Sequence, residues 1–173
     1  AIKEKVFPGC VVGVALENGE SIALPFGHFT YESGANRVQS DTIYDVASIT
    51  KSIPVMSLLL VLIDKGDIDL DDRLVDYLSE FGNFENKKDV RIKHLLTYTL
   101  DLDVTSMATL RDKMPDEITE TIMSAPLKNT PGVKMIYANS TALLTGLLVN
   151  RVSGKMLNIF AEEYFFKPLR MDR

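Results

Sequence analysis

The sequence predicts an α+β fold, in which an N-terminal β-hairpin precedes a mostly helical region. Two runs of β-branched and small apolar residues, 10–16 and 21–26, flank the turn 17–20, which reads Glu-Asn-Gly-Glu. Asn-Gly between two such runs is a strong hairpin signal. Further along, apolar residues recur at helical spacing and end at Gly or Pro. The 173 residues are 46% hydrophobic and 25% charged, which is typical of one globular domain, residues 1–173.

The long helix of this region is predicted from Ser48 to about Lys65, with Gly66 as its C-cap. It is apolar on nearly all sides, so we expect it to be central and fully buried. Pro54 lies inside it, where it removes a hydrogen bond and clashes one turn back. The helix therefore either becomes regular only after Thr50 or is kinked beside Ser48.

The remaining chain is divided by its polar and glycine-containing stretches. Loops are predicted at 27–40, 81–89 and 126–133, and 100–113 has only a weak pattern. Asn139 or Ser140 is expected to cap a helix that Gly154 ends. The predicted helices after the first are 72–78, 92–97, 115–124, 139–152 and 156–166.

Charge and composition exclude several classes of protein. The net charge of −5, with no basic cluster, argues against a nucleic-acid partner. The longest apolar run, 53–63, is too short to span a bilayer, and the charged segment 1–6 is unlike a secretory signal. Cys10 is the single cysteine, so it forms no internal disulfide and is expected to be a small buried strand residue.

Metal binding is not expected. The four aspartates of residues 67–72 suggest a calcium loop, but Asp72 stands at position six where Gly is needed, and Leu78 at position twelve where Glu is needed. His28 and His94 have no His, Cys or carboxylate partner at ligand spacing on a helix. We expect the aspartates to form a solvated turn and His94 to pack or cap a helix.

A candidate nucleophile stands at the start of the long helix, in the motif Ser48-Ile49-Thr50-Lys51. Side chains three residues apart lie on one helix face, so the Lys51 amine can reach the Ser48 hydroxyl. The positive potential of a helix N-terminus and apolar walls both favour a neutral amine, which can act as a base. A second candidate is Tyr137-Ala138-Asn139, which offers a phenol for proton transfer and a carboxamide for holding a substrate amide. Each motif alone is common.

Together with their flanks, the two motifs resemble the serine β-lactamase and penicillin-binding protein superfamily, nearest its class C-like branch. Ser48-x-x-Lys51 matches the nucleophile motif and Tyr137-x-Asn139 the second motif. The flanks that agree are Pro8-Gly9, the stretches 41–44 and 66–72, Pro131-Gly132, Gly154 and Pro168-Leu169 with Met171. The resemblance implies a β-lactamase/transpeptidase-like fold, catalytic roles for Ser48, Lys51 and Tyr137, substrate binding by Asn139, and no cofactor. Family habit suggests an extracytoplasmic location, for which this chain has no export signal.

The sequence also departs from that superfamily. Its third motif, on an inner strand, lies beyond Arg173, so we expect an incomplete antiparallel sheet that another chain or copy can complete. Tyr98 replaces the second His of the related stretch His-Leu-Leu-Thr-His-Thr-Ser-Gly, and Leu100-Asp101 replaces its Ser-Gly, so the loop there should differ in shape. Arg170 stands where Gly is usual, so the tight turn there is expected to change.

The resemblance implies a serine hydrolase that forms an acyl-enzyme on a β-lactam, a D-Ala-D-Ala-type peptide or an ester. The substrate is therefore a small molecule or a peptide, and the sequence does not choose among the three. The alternative is a non-catalytic penicillin-binding or interaction domain, or an inactive half of such a protein.

Overall fold

The computed structural model describes residues 1–83, 85–104 and 110–171. The contacts between residues divide the chain into two compact units, one comprising Ala1–Asp45 and the other beginning at Val46. Part of the weakly patterned stretch 100–113 lies outside the described residues. The described elements combine a two-stranded antiparallel sheet with helices, so the α+β prediction is confirmed.

The first unit contains the predicted hairpin. Strand β1 (Gly9–Ala15) pairs with β2 (Ser21–Gly27) in a register that runs from Gly9 opposite Gly27 to Ala15 opposite Ser21. The open end of the hairpin requires both glycines. A Cβ on Gly9 would lie 2.5 Å from the His28 carbonyl oxygen, and one on Gly27, whose φ is +74°, would lie 2.2 Å from the Pro8 carbonyl oxygen. Any side chain at these two positions would force the backbone apart.

The hairpin is exposed on both faces. Its large apolar side chains are 39–46% exposed, and they come from both strands: Val12, Val14, Ile22, Leu24 and Phe26. Cys10 is half-buried in β1, opposite Phe26. Within the described residues each strand has one hydrogen-bonded neighbour, so both outer edges are open.

The second unit is helical. Its α-helices are α1 (Ser57–Asp64), α2 (Leu74–Tyr77), α3 (Ile92–Leu96), α4 (Pro115–Ser124), α5 (Asn139–Ser153) and α6 (Leu157–Ala161). Wide π-helical turns occupy Lys51–Met56 and Glu162–Phe166, and 3₁₀ turns occupy Ser79–Asn83 and Glu85–Lys87. The helix predicted at 115–124 is confirmed at both ends. Those predicted at 72–78 and 92–97 form as slightly shorter helices.

The long first helix is not one regular helix. In the turn Lys51–Met56, Ile53 has the extended dihedrals φ −123° and ψ 111°, directly before Pro54. Regular α-helix begins only at Ser57. Both alternatives left open by the sequence are observed, because the backbone is kinked at Ile53 and the helix is regular only well after Thr50. Full burial is wrong in part, because Leu58 is inaccessible to solvent whereas Leu60 is 52% exposed.

The hydrophobic core of this unit forms around α1 and α5. Helix α5 packs against α1, the turn Lys51–Met56, α2, α3 and α6. The buried side chains that these and neighbouring segments contribute include Leu58, Leu59, Leu62, Leu74, Phe81, Ile92, Leu95, Ile122, Leu144, Leu148, Val149 and Phe160. This packing fixes the start of α5 beside the turn that carries Lys51.

The segment 81–89, predicted as polar loop, is largely ordered into 3₁₀ turns and contributes to the interior. Phe81 and Lys87 are both inaccessible to solvent. The Lys87 ammonium donates to the Met123 carbonyl at 2.6 Å and lies 4.2 Å from the Phe81 ring centroid. Burial lowers the pKa of Lys87 to about 8. The polar composition of the segment did not indicate that one of its lysines is buried and hydrogen-bonded to the end of α4.

The prediction for α5 is confirmed at its C-terminal end and is wrong for the cap at its N-terminal end. Gly154, in the left-handed conformation with φ 66°, ends the helix as expected, and its amide donates to the Asn150 carbonyl at 3.0 Å. The predicted cap is wrong. The N-cap position is Ala138, and in the described part of the chain no side chain caps this end. Asn139 is instead the first helical residue.

The chain end beyond α6 keeps a tight turn. Arg170 adopts the left-handed φ of 53°, and the Met171 amide donates to the Phe166 carbonyl at 2.8 Å. Arg170 therefore occupies the left-handed position of a tight turn, a conformation that is strained for a residue with a side chain. Among the described helices, none combines the length and the apolar character needed to cross a membrane.

Candidate active site

Ser48 lies on a tight backbone turn at the start of the second unit. Ala47 has a positive φ of 45°, and the Lys51 amide donates to the Ser48 carbonyl at 3.1 Å. A non-glycine residue in the left-handed region costs of order 1–3 kcal/mol and is typically found at functional sites. The Ser48 side chain is exposed at this turn, with Lys51 half-buried beside it.

Ser48 and Lys51 are in direct contact. The Lys51 amine donates to the Ser48 hydroxyl oxygen at 2.8 Å. The sequence predicted this contact from regular helical spacing. The structure achieves it through the turn that leads into the π-helical segment Lys51–Met56, which keeps the two side chains on one side of the chain.

Tyr137 joins the same hydrogen-bond cluster from a distant segment. Hydrogen bonds with Ser48 and with Lys51 hold the pKa of the Tyr137 phenol below its ordinary value, and the positive charge of Lys51 adds to that effect. The Lys51 Nζ lies 5.3 Å from the Tyr137 ring centroid. Such an arrangement lets a proton pass among a hydroxyl, an amine and a phenol.

Asn139 lies beside this cluster without a described bond to it. As the first residue of α5 it is exposed, and it lines one cavity together with Lys51. A carboxamide there can both donate to and accept from a ligand. All four residues singled out from the sequence are therefore located in the second unit, three of them in mutual contact and the fourth at the adjoining cavity.

Tyr98 is a site residue that sequence reasoning treated only as a departure from the related pattern. Its ring stacks on Tyr137, with centroids 5.5 Å apart and an interplanar angle of 21°. Tyr98 has a positive φ of 53°, and its carbonyl accepts from the Ile136 amide at 2.7 Å. Burial raises the pKa of Tyr98. The stack and the backbone bond together hold Tyr137 in place; the aromatic residue at position 98 was the signal available in the sequence.

His94 caps the start of α3. Its Nδ1 accepts from the Arg91 backbone amide at 3.1 Å, which confirms the expected capping role. Burial lowers the pKa of His94. Gly132 passes close to the ring, since a Cβ there would lie 3.3 Å from Nε2, and the Gly132 amide donates to the Thr99 carbonyl at 3.0 Å.

A cavity of about 510 Å³ opens next to Lys51 and Asn139. Its lining comes from the segment 47–55, from α4 and from α5, with Leu157 of α6 closing one side. Volumes of this order are typical of sites for small ligands.

Within residues 1–83, 85–104 and 110–171, no group of three His, Cys, Asp or Glu side chains is arranged to hold a metal ion. The aspartates of segment 67–72 form a turn. Asp72 accepts from the Asp69 amide and Asp69 from the Asp71 amide, both at 2.8 Å.

Comparison with known proteins gives a consistent result. The Beta-lactamase family model matches residues 1–173. A putative D-alanyl-D-alanine carboxypeptidase of Escherichia coli K12 is 30% identical over 145 residues, which cover 77% of this chain and 33% of that protein. An N-acetylmuramyl-L-alanine amidase of Bacillus subtilis 168 is 24% identical, over 95% of this chain and 42% of the amidase. The protein flp of Staphylococcus aureus MW2 is 28% identical, over 75% of this chain and 27% of flp.

The chain thus spans between about a quarter and two fifths of the length of these curated relatives. The family match extends over the turn that carries Ser48, Tyr137 and the hairpin alike, as the resemblance of the motifs predicted. The chain belongs to the Beta-lactamase family.

Proposed function

We propose that this chain carries the nucleophile and the proton-transfer groups of a serine hydrolase that acts through an acyl-enzyme. The observation that carries the proposal is the hydrogen bond that Lys51 donates to Ser48 at 2.8 Å, with the Tyr137 phenol near enough to both side chains for them to lower its pKa. Its membership of a family of hydrolases supports the same reaction class. A serine hydroxyl needs an adjacent base to become a nucleophile, and two candidate bases contact this one.

In the proposed reaction the Ser48 oxygen attacks a carbonyl carbon and forms a C–O bond. Lys51 and Tyr137 take the hydroxyl proton and return it to the leaving nitrogen or oxygen as its bond to the carbonyl breaks. Water then adds to the acyl-enzyme, the serine ester bond breaks, and the proton returns to Ser48. Asn139 holds an amide of the acyl portion through its carboxamide. The name of the carboxypeptidase relative favours a peptide carbonyl, and the name of the family favours a β-lactam carbonyl.

The test is the intact mass of the chain after incubation with benzylpenicillin. We expect an increase of one benzylpenicilloyl group, abolished by Ser48→Ala and retained by Ser52→Ala, a neighbouring exposed serine. Lys51→Met should slow acylation by about a hundredfold or more, the usual contribution of general acid–base catalysis. The assignment would be refuted by an adduct that survives Ser48→Ala, or by a folded chain that forms no Ser48-dependent adduct with benzylpenicillin or with p-nitrophenyl acetate.

The lifetime of the adduct distinguishes two uses of the site. Regeneration of the free mass over time, with penicilloic acid released, indicates a hydrolase. A stable adduct without turnover indicates a penicillin-binding domain.

A further inference from the structure

The cavity beside Lys51 and Asn139 has a lining that the proposed reaction leaves unexplained. Its deepest residues are apolar and buried: Val55 is 6%, Ile122 1% and Ala142 9% exposed. Half-buried Ile118 and Leu157 form its walls.

The polarity of the cavity changes from its mouth to its floor. Among the described residues that line it, Lys51 is the single ionisable one, and it stands at the mouth with Asn139. A ligand group that passes these two side chains therefore meets an uncharged surface made mostly of aliphatic carbon. Sites of this kind bind an apolar group and fix its orientation through a few polar atoms at one end.

Gly146, in the middle of α5, keeps part of this space open. A glycine inside a helix is about 1 kcal/mol less favourable than alanine, and nothing in the backbone of α5 requires one here. A Cβ at this position would lie 3.7 Å from Leu157, in ordinary contact, so a small side chain fits and a larger one would extend into the cavity.

The far end of the cavity adjoins a groove that contains charged side chains. Thr119, Asn150 and Leu147 line both the cavity and a neighbouring groove of about 850 Å³, whose other residues include the charged Glu80, Asp116 and Arg151. The Arg151 guanidinium is already paired with Glu80 at 2.9 Å. An apolar chain that fills the cavity is thus limited in length by the point where the surface becomes charged.

We propose that this cavity binds an aliphatic acyl chain, so that the preferred substrate is an ester or amide of a medium-length carboxylic acid. The inference rests on the proposed function, because it places the reacting carbonyl at Ser48. The chain passes Asn139 and ends among Val55, Ile122 and Ala142. In the step, the Ser48 oxygen bonds to the acyl carbon, the alcohol or amine departs with the serine proton, and the acyl chain stays in the cavity until water releases it.

The first experiment measures acylation by p-nitrophenyl acetate, butanoate, hexanoate and octanoate, from the burst of nitrophenol and the adduct mass. We expect the second-order rate constant to rise by up to about fourfold for each added methylene until the cavity is full, as expected for burial of a CH₂ group. Gly146→Leu should remove this dependence, so that the rate constant no longer rises from the acetate to the octanoate ester. Thr121→Leu, on α4 but outside the cavity lining, is the matched control and should behave as the wild type.

A second variant tests the same cavity in case Gly146→Leu does not fold. Leu143 is 40% exposed at the rim, so Leu143→Asp adds a carboxylate there without disturbing the interior. It should lower the hexanoate rate at least tenfold relative to acetate. Far-UV circular dichroism confirms that each variant is folded.

The second experiment distinguishes failure of the acyl-chain site from failure of the proposed serine hydrolase. Uncharged butanamide, hexanamide and octanamide are titrated into Ser48→Ala and followed by NMR shifts, with Gly146→Leu added in the same background. Ser48-dependent adducts without chain-length dependence would overturn the acyl-chain site and leave the serine hydrolase in place. Amide binding that tightens with length and is lost in Gly146→Leu, with no adduct from any ester, would keep the site and overturn the hydrolase. Neither adducts nor binding would refute both.

Discussion

The ionisation of buried Lys87 should make the stability of the second unit depend on pH. The folded chain holds this ammonium away from water, between the Phe81 ring and the Met123 carbonyl, and burial lowers its pKa from the ordinary 10.5 to about 8. Below pH 8 the lysine is protonated in both states, so the full penalty for burying the charge applies. Between the two pKa values the unfolded chain binds more protons, so the free energy of unfolding rises with pH.

The size of this effect follows from the two pKa values. Their difference corresponds to about 3 kcal/mol in all, and roughly 2 kcal/mol of this is recovered between about pH 7 and about pH 9.5. The neutral Lys87 amine can still donate to the Met123 carbonyl, so the hydrogen bond to α4 persists after deprotonation.

The assay is urea unfolding followed by far-UV circular dichroism, at several pH values across that range. Lys87→Met lacks the titrating group, so the wild type should gain about 2 kcal/mol relative to this variant as pH rises. Lys88→Met is the matched control: Lys88 is 53% exposed and paired with Glu85, and its removal should leave the wild-type slope. Parallel pH profiles for the wild type and Lys87→Met would refute the reasoning.

Two further predictions concern the pair of tyrosines at the site. Because hydrogen bonds with Ser48 and Lys51 lower the pKa of Tyr137, Lys51→Met should raise that pKa, as followed by phenolate absorbance against a Tyr137→Phe reference. An unchanged Tyr137 titration would mean that Lys51 does not interact with the phenol. The Tyr98 hydroxyl is buried and has no hydrogen-bond partner among the described residues, so Tyr98→Phe should keep the stack and raise the free energy of unfolding by about 1 kcal/mol. A loss of stability on urea unfolding would contradict this.

Local sequence signals predicted the elements whose cause is local. The Asn-Gly turn with its flanking runs predicted the hairpin, and Pro115 with the following acidic residues predicted α4. The contact of Ser48 with Lys51 was also predictable, because three-residue spacing brings side chains together in any tight helical turn.

Features set by distant contacts were not predictable in the same way. Tyr137 follows Ser48 by 89 residues, and only the family resemblance placed them together. The Tyr98 stack and the burial of Lys87 against Met123 depend on how loops and helices pack, which neither composition nor periodicity specifies. Pro54 indicated a disturbance of the first helix, but not that the backbone becomes extended at Ile53 or that regular helix begins only at Ser57.

Within the described residues, the hairpin has open edges and an exposed apolar face, and both bear on the behaviour of this chain in solution. Unpaired strand edges of this kind are templates for pairing between molecules, and repulsion between molecules is weakest where their net charge vanishes. With a sequence pI of about 5.1, that point lies on the acid side of neutrality. Colloidal stability should therefore fall as the buffer is acidified toward pH 5 or the protein is concentrated, so dilute, mildly alkaline solutions are the conditions in which this chain is best handled.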